Sequence, residues 1–80
     1  MRVRFEQAKA AGWSWTARIL RPETAPQGYT GNTVLTEWLT LNCAGAWASK
    51  RTRRWLTVMF ADEADALRAY QAFKPQGLWV

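Results

Sequence analysis

The hydrophobic positions between Arg53 and Phe73 change period once, and the change predicts a strand that runs straight into a helix. In Trp55 to Phe60, Leu56, Val58 and Phe60 alternate with Trp55, Thr57 and Met59, the two-residue repeat of a β-strand. From Ala66 onward the apolar positions are Ala66, Leu67, Ala69, Tyr70 and Phe73, spaced as one face of a helix, with Glu63, Arg68 and Gln71 on the other side. Asp62 is placed as N-cap and Asp65 stands where a capping box has its glutamate, and acids in the first turn suit the positive end of the helix dipole. Lys74 and Pro75 mark the stop.

Earlier in the chain, Val3 and Phe5 alternate with Arg2, Arg4 and Glu6, and Trp13, Trp15, Ala17 and Ile19 alternate with Ser14, Thr16 and Arg18, which predicts two half-buried strands. Joined as a hairpin across Lys9-Ala10-Ala11, with Gly12 as a left-handed bulge residue, they bring Val3 and Phe5 onto the face of Trp15 and Ala17. Arg2, Arg4 and Arg18 then share the outward face. Residues 22–31 contain Pro, Gly and polar residues without periodicity and form an exposed loop, in which Tyr29 is expected to tuck against the core. Through residues 32–41 two patterns compete. Leu35, Trp38 and Leu39 fit a short helix at Thr33 to Leu39, whereas Leu39, Leu41 and Cys43 alternate as a strand, and the threonines of the segment favour strand from about Glu37.

The strand continues through Ala44 to Ser49 and returns by way of Lys50, Arg51, Thr52, Arg53 and Arg54. Setting Ser49 opposite Arg54 puts Trp47 against Leu56, Gly45 against Val58 and Cys43 against Phe60, one apolar face for the helix to cover. The reverse face carries Ala44, Ala46 and Ala48 beside Trp55, Thr57 and Met59, a shallow apolar strip that marks a binding surface if nothing covers it. Leu78, Trp79 and Val80 read as a last edge strand. The whole is a single domain over residues 1–80 of the α+β class, a small, mostly antiparallel sheet of four to five strands with one main C-terminal helix. The passage from the Phe60 end of its strand into the acidic, alanine-rich helix resembles the third-strand-to-second-helix passage of ferredoxin-like domains, including RNA-recognition folds. That resemblance implies an open sheet face with stacking aromatics, where this chain offers Trp55, Thr57 and Met59.

Composition narrows the function more than any motif does. Six Trp, three Phe and two Tyr in 80 residues supply enough apolar area, at roughly 150–250 Å² per ring, to fold without disulfide or metal. Most of the tryptophans are expected in the core and one or two at the surface. Cys43 is the only cysteine, so it forms no intramolecular disulfide and reads as a buried structural thiol of a reducing cytoplasm. The N-terminus lacks a continuous apolar leader and no apolar run is long enough to span a membrane, so a soluble, unprocessed protein is expected.

There is no histidine, which removes histidine-based acid–base catalysis, the Ser-His-Asp and Cys-His arrangements and every histidine metal site. Asp62, Glu63 and Asp65 sit at a helix start, where capping accounts for them, and no glycine-rich phosphate loop accompanies them. The chain is therefore read as no enzyme, with no cofactor and no metal.

A net charge of +5 and a pI near 10.2 point instead to an anionic partner, and eight of the eleven basic residues are arginines, which grip phosphate or carboxylate with two hydrogen bonds at once. The residues assigned to a partner are Lys50, Arg51, Arg53 and Arg54 of the hairpin tip with Trp47, Trp55 and Met59, and Arg2, Arg4 and Arg18 form a secondary basic face. In size, composition and lack of catalytic groups the chain resembles anti-CRISPR proteins, small phage or mobile-element inhibitors. That resemblance implies a host nucleoprotein complex as partner and a block of nucleic-acid or effector binding, with Arg51, Arg53 and Arg54 on carboxylates and Trp47 or Trp55 as anchor. The alternatives are a basic nucleic-acid-binding module that uses the same Arg/Trp hairpin, and a homodimer formed by sheet addition through the alanine-rich face or the C-terminal strand.

Overall fold

The central strand of the sheet is Trp55–Phe60, whose apolar residues are covered on both faces, as their composition requires. The computed structural model describes residues 1–23 and 25–80, so Thr24, within the expected 22–31 loop, lies outside the described residues. In chain order the elements are α1 (Phe5–Ala10), β1 (Trp15–Leu20), α2 (Gly31–Asn42), β2 (Trp47–Arg51), β3 (Trp55–Phe60) and α3 (Glu63–Phe73). The three strands lie in the order β1-β3-β2, all antiparallel. The protein is thus α+β, with an antiparallel sheet of three strands and three helices among the described residues.

Two terminal segments add short edges to that sheet. Arg2 bridges Trp47 in parallel, with the Trp47 N–H donating to Met1 at 2.9 Å and the Val3 N–H donating to Trp47 at 2.8 Å. Trp79 bridges Ile19, with Leu20 donating to Leu78 and Val80 donating to Arg18. The expected first and last strands are therefore single bridges, and the sheet has fewer strands than the four to five anticipated.

The main core lies between one sheet face and helices α2 and α3. Ala17 and Ile19 of β1, Leu56, Val58 and Phe60 of β3 and Trp47 of β2 meet Leu35, Leu39, Ala69 and Phe73 from the helices. Trp38 stands edge-on to Phe73 with ring centroids 4.8 Å apart. On the opposite sheet face a second, smaller cluster joins Ala8 of α1 to Ala48 and Met59, rimmed by Val3, Phe5 and Trp13. Among the described residues no helix is long and apolar enough to cross a membrane.

Helix α1 replaces the strand expected over Val3 and Phe5, and the predicted hairpin with β1 does not form. Glu6, Gln7, Ala8, Lys9 and Ala10 are strong helix formers, and Ala8 gains complete burial against the sheet. Gly12 is left-handed as expected, at φ 76°, but it ends this helix rather than bulging a hairpin.

Helix α2 replaces the strand expected from Glu37. Thr30 caps it by accepting from the Thr33 N–H at 3.1 Å, Leu35 and Leu39 face the core, and Leu41, which the strand reading would bury, is 76% exposed. Four residues of even offset separate the expected and observed hairpin registers: Trp47 lies opposite Phe60, not Leu56, and Ser49 opposite Val58. The offset leaves every side chain on its expected face. Ala44, Gly45 and Ala46 precede β2 rather than belonging to it. In α3 the buried stripe is Asp65, Ala69 and Phe73, so Leu67 and Tyr70, expected inside, are exposed.

Candidate functional site

The two ends of the sheet hold opposite charges, because the antiparallel strands gather the chain's acidic and basic runs at different ends. At the end where β3 passes into α3, the Asp65 carboxylate is 1% exposed. It accepts from the Ala44 N–H at 3.0 Å, the Gly45 N–H at 2.9 Å and the Arg68 guanidinium at 2.9 Å. Arg68 also donates to the Asn42 carbonyl at 2.9 Å. Asp65 therefore anchors the connection between α2 and β2, where a capping role for its own helix was expected, and Asp62 makes no side-chain cap bond. A Cβ at Gly45 would meet the exposed Asp62 carboxylate, which would have to swing aside. Beside this anchor Cys43 is partly buried, and its thiol is pushed up from 9.0 to about 11, by burial first and by the Asp65 carboxylate second.

At the other end the basic residues of three segments converge. The Thr52 N–H and hydroxyl both donate to the Trp55 carbonyl, at 3.0 and 2.7 Å, which tightens the hairpin and holds Arg53 and Arg54 in its connection. Arg21, just past β1, donates its backbone N–H to the Arg54 carbonyl at 3.3 Å, and its guanidinium donates to the Arg53 carbonyl. Arg18 reaches across from β1 so that its guanidinium carbon lies 5.5 Å from the centre of the Trp55 ring. Lys50 and Arg51 end β2 at the same end. Thr52, Arg53, Arg54 and Trp55 line a shallow cleft of about 490 Å³, and Leu20, Arg21, Pro22, Glu23, Gly31 and Arg54 line an adjoining one of about 420 Å³, so the Glu23 carboxylate borders the same cleft as Arg21 and Arg54.

Among the described residues the one ion pair within 4.0 Å is Arg68 with Asp65, so Arg18, Arg21, Lys50, Arg51, Arg53 and Arg54 have no carboxylate at that distance. Such an arrangement attracts anions. Among the described residues no cluster of three or more His, Cys, Asp or Glu is placed to hold a metal ion.

Two of the residues assigned to a partner are corrected by burial. Trp47 is 1% exposed, sealed between the core and the N-terminal segment, and Met59 is 7% exposed beneath Ala8 of α1. The apolar strip of the reverse face is thus covered at its Ala48–Met59 end, which leaves Trp55 and Thr57, both half-buried, with Arg18 and Lys50 around them. The secondary basic face divides as well. Arg2 and Arg4 lie along the outer edge of β2 with Ser49 and Lys50, whereas Arg18 is on β1, separated from β2 by β3, because the N-terminal segment pairs with β2 and not with β1. The tryptophans are less buried than expected: only Trp47 is in the core, Trp15 is 41% exposed and the remaining four are half-buried. Tyr29 is 44% exposed and lines a groove with Pro26, Val34, Trp38 and Leu41 instead of tucking inward.

Sequence reasoning missed Arg21 and Thr52. The signal for Arg21 was its place at the end of β1: pairing β1 with β3, rather than with the N-terminus, sets it beside Arg53 and Arg54. Compared with known protein families, with curated proteins and with solved structures, the chain finds no match in any of the three.

Proposed function

We propose that this protein is a non-enzymatic binding domain that grips the phosphates of a nucleic-acid strand at the basic end of its sheet. The carrying observation is the placing of Arg18, Arg53 and Arg54 beside Trp55, with no carboxylate within 4.0 Å of any of them among the described residues. Guanidinium groups beside a half-exposed indole are the pairing that serves a single strand, phosphates by charge and one base by stacking. The order of elements supports a ferredoxin-like reading. A strand, a helix, a hairpin, a helix and a C-terminal bridge back onto β1 are arranged so that both long helices share one face. In that reading Trp55 stands on the open face from which RNA-recognition folds contact their ligand.

The second reading is an anti-CRISPR-like inhibitor that docks on a host nucleoprotein complex and blocks nucleic-acid or effector binding. It is favoured by α1, which covers Met59 and Ala48 and leaves one tryptophan as stacking platform, a small base-contact area for a free strand. In this reading the same arginines hold phosphates or carboxylates displayed by the complex. For the homodimer reading, α1 covers the Ala48–Met59 part of the alanine-rich face, while the C-terminal segment pairs with β1 on one side only.

The test is a titration of the protein against labelled single- and double-stranded DNA and RNA at about 50 and 200 mM salt, with light scattering on the eluted complex. Four phosphate contacts on a single strand give a loss of about 50-fold between those salt concentrations. Absence of binding at the lower salt overturns the free-strand reading. Competition with DNA for a purified guide-RNA effector complex then tests the inhibitor reading.

A further inference from the structure

The outer edge of β2 is left half-built. Trp47 uses its outward N–H and C=O on Met1 and Val3, and by the alternation of an antiparallel ladder Ser49 and Arg51 turn theirs to the same side. The N-terminal segment would have covered them had it stayed extended. It instead turns into α1 at Phe5, with Arg4 as N-cap, and no backbone group among the described residues meets Ser49 or Arg51 on that edge. The opposite edge of the sheet is different, because Leu78 and Val80 pair there with β1.

A cleft of about 470 Å³ runs along this open edge, lined by Arg2, Arg4, Phe5, Glu6, Ser49 and Lys50. Its cations are held in place. Arg2 donates to the Ser49 hydroxyl at 3.3 Å and lies 5.6 Å from the Trp47 ring centre, and the Lys50 ammonium lies 5.9 Å from that of Phe5. We infer that this edge is a strand-addition site that takes an extended acidic peptide segment of a partner protein. The peptide backbone pairs with Ser49 and Arg51, and carboxylates at alternate positions meet Arg2, Arg4 and Lys50.

The occupant follows from the two kinds of group the edge presents. Alternating donors and acceptors at strand spacing match a peptide backbone, and a phosphodiester chain has no donor for the Ser49 and Arg51 carbonyls. A second copy of this chain would bring Arg2, Arg4 and Lys50 against their own kind, which opposes self-pairing. The site shares Lys50 and Arg51 with the basic end, but its open backbone edge, Arg2 and Arg4 lie apart from Trp55, so Ser49→Pro tests it separately from the nucleic-acid reading.

The probe is a fluorescent hexapeptide of alternating glutamate and valine, titrated at about 50 mM salt while the amides of the protein are followed by NMR and hydrogen exchange. Binding with new protection of the Ser49 and Arg51 amides is expected, and an alternating lysine–valine peptide is expected not to bind. Ser49→Pro removes the outward donor without breaking a bond to β3 and should weaken the acidic peptide by about tenfold. The pair Arg4→Glu and Lys50→Glu, both exposed, should weaken it further and keeps the test alive if the proline variant fails to fold. The proposal is overturned if the peptide shifts Arg53, Arg54 and Trp55 instead, or if the folded Ser49→Pro protein binds as well as the parent. It is equally overturned if the Ser49 and Arg51 amides are protected without peptide in a concentration-dependent dimer, or if nothing binds.

Discussion

The two ends of one small sheet treat charge in opposite ways. At the α3 end, Asp65 is buried and every one of its bonds is internal, two from the backbone of Ala44 and Gly45 and one from Arg68. At the hairpin end, Arg18, Arg53 and Arg54 lie beside Trp55, Arg21 braces the hairpin through the Arg53 and Arg54 carbonyls, and among the described residues none of the four makes an ion pair within 4.0 Å. A charge that is buried and fully bonded holds the fold together, whereas charges gathered without counter-charges repel one another and are retained at some cost in stability. The first end therefore reads as structure and the second as a surface kept for an anion.

Substitutions at the two ends should separate stability from binding. Asp65→Ala strands two backbone N–H groups and should cost about 3 kcal/mol, lowering Tm by about 15 °C in thermal melts, with oligonucleotide affinity unchanged below the melt. Reversing both tip arginines, Arg53→Glu with Arg54→Glu, should do the converse. Affinity at low salt falls by about a hundredfold while Tm moves by less than about 4 °C, since both side chains are exposed. Met59→Ala empties the contact beneath α1 and should cost about 2 kcal/mol in denaturant unfolding with no loss of binding, which distinguishes a buried Met59 from a contact residue.

Smaller effects sharpen the same division. Trp55→Ala should weaken single-strand binding by about tenfold through lost stacking while the salt dependence stays as it was. Cys43 should alkylate slowly near pH 8, its thiolate fraction reduced about a hundredfold by a value raised from 9.0 to about 11. The folded thiol keeps its proton where the unfolded chain has lost it. Stability therefore falls as pH rises from 9.0 towards 11, which melts at stepped pH will show.

How much of this was legible follows from how many competing periods each segment allowed. Trp55–Phe60 and Glu63–Phe73 were readable because each carries one long, unambiguous repeat, and Trp15–Leu20 because Ala17 and Ile19 alternate with polar residues. The facing of β2 and β3 was readable too, since an even offset in register keeps parity. Helix α2 was misread because Leu39, Leu41 and Cys43 alternate by accident of a helix that turns Leu41 outward. Helix α1 was misread because Val3 and Phe5 are too few to fix a period, and that single error propagated. A strand there pairs β1 with the N-terminal segment, separates Arg21 from Arg53 and Arg54, leaves Met59 uncovered and joins Arg18 to Arg2 and Arg4. The tip arginines were visible from composition alone; their company around Trp55 required the sheet order.

The most direct test of that division is the slope of log affinity against log salt for a single-stranded oligonucleotide, measured for the parent and for Arg53→Gln with Arg54→Gln. If these arginines hold phosphates, the slope shrinks by about 1.4, near 0.7 for each charge removed. An unchanged slope, or no binding by the parent at about 50 mM salt, would contradict the assignment of the basic end to nucleic acid.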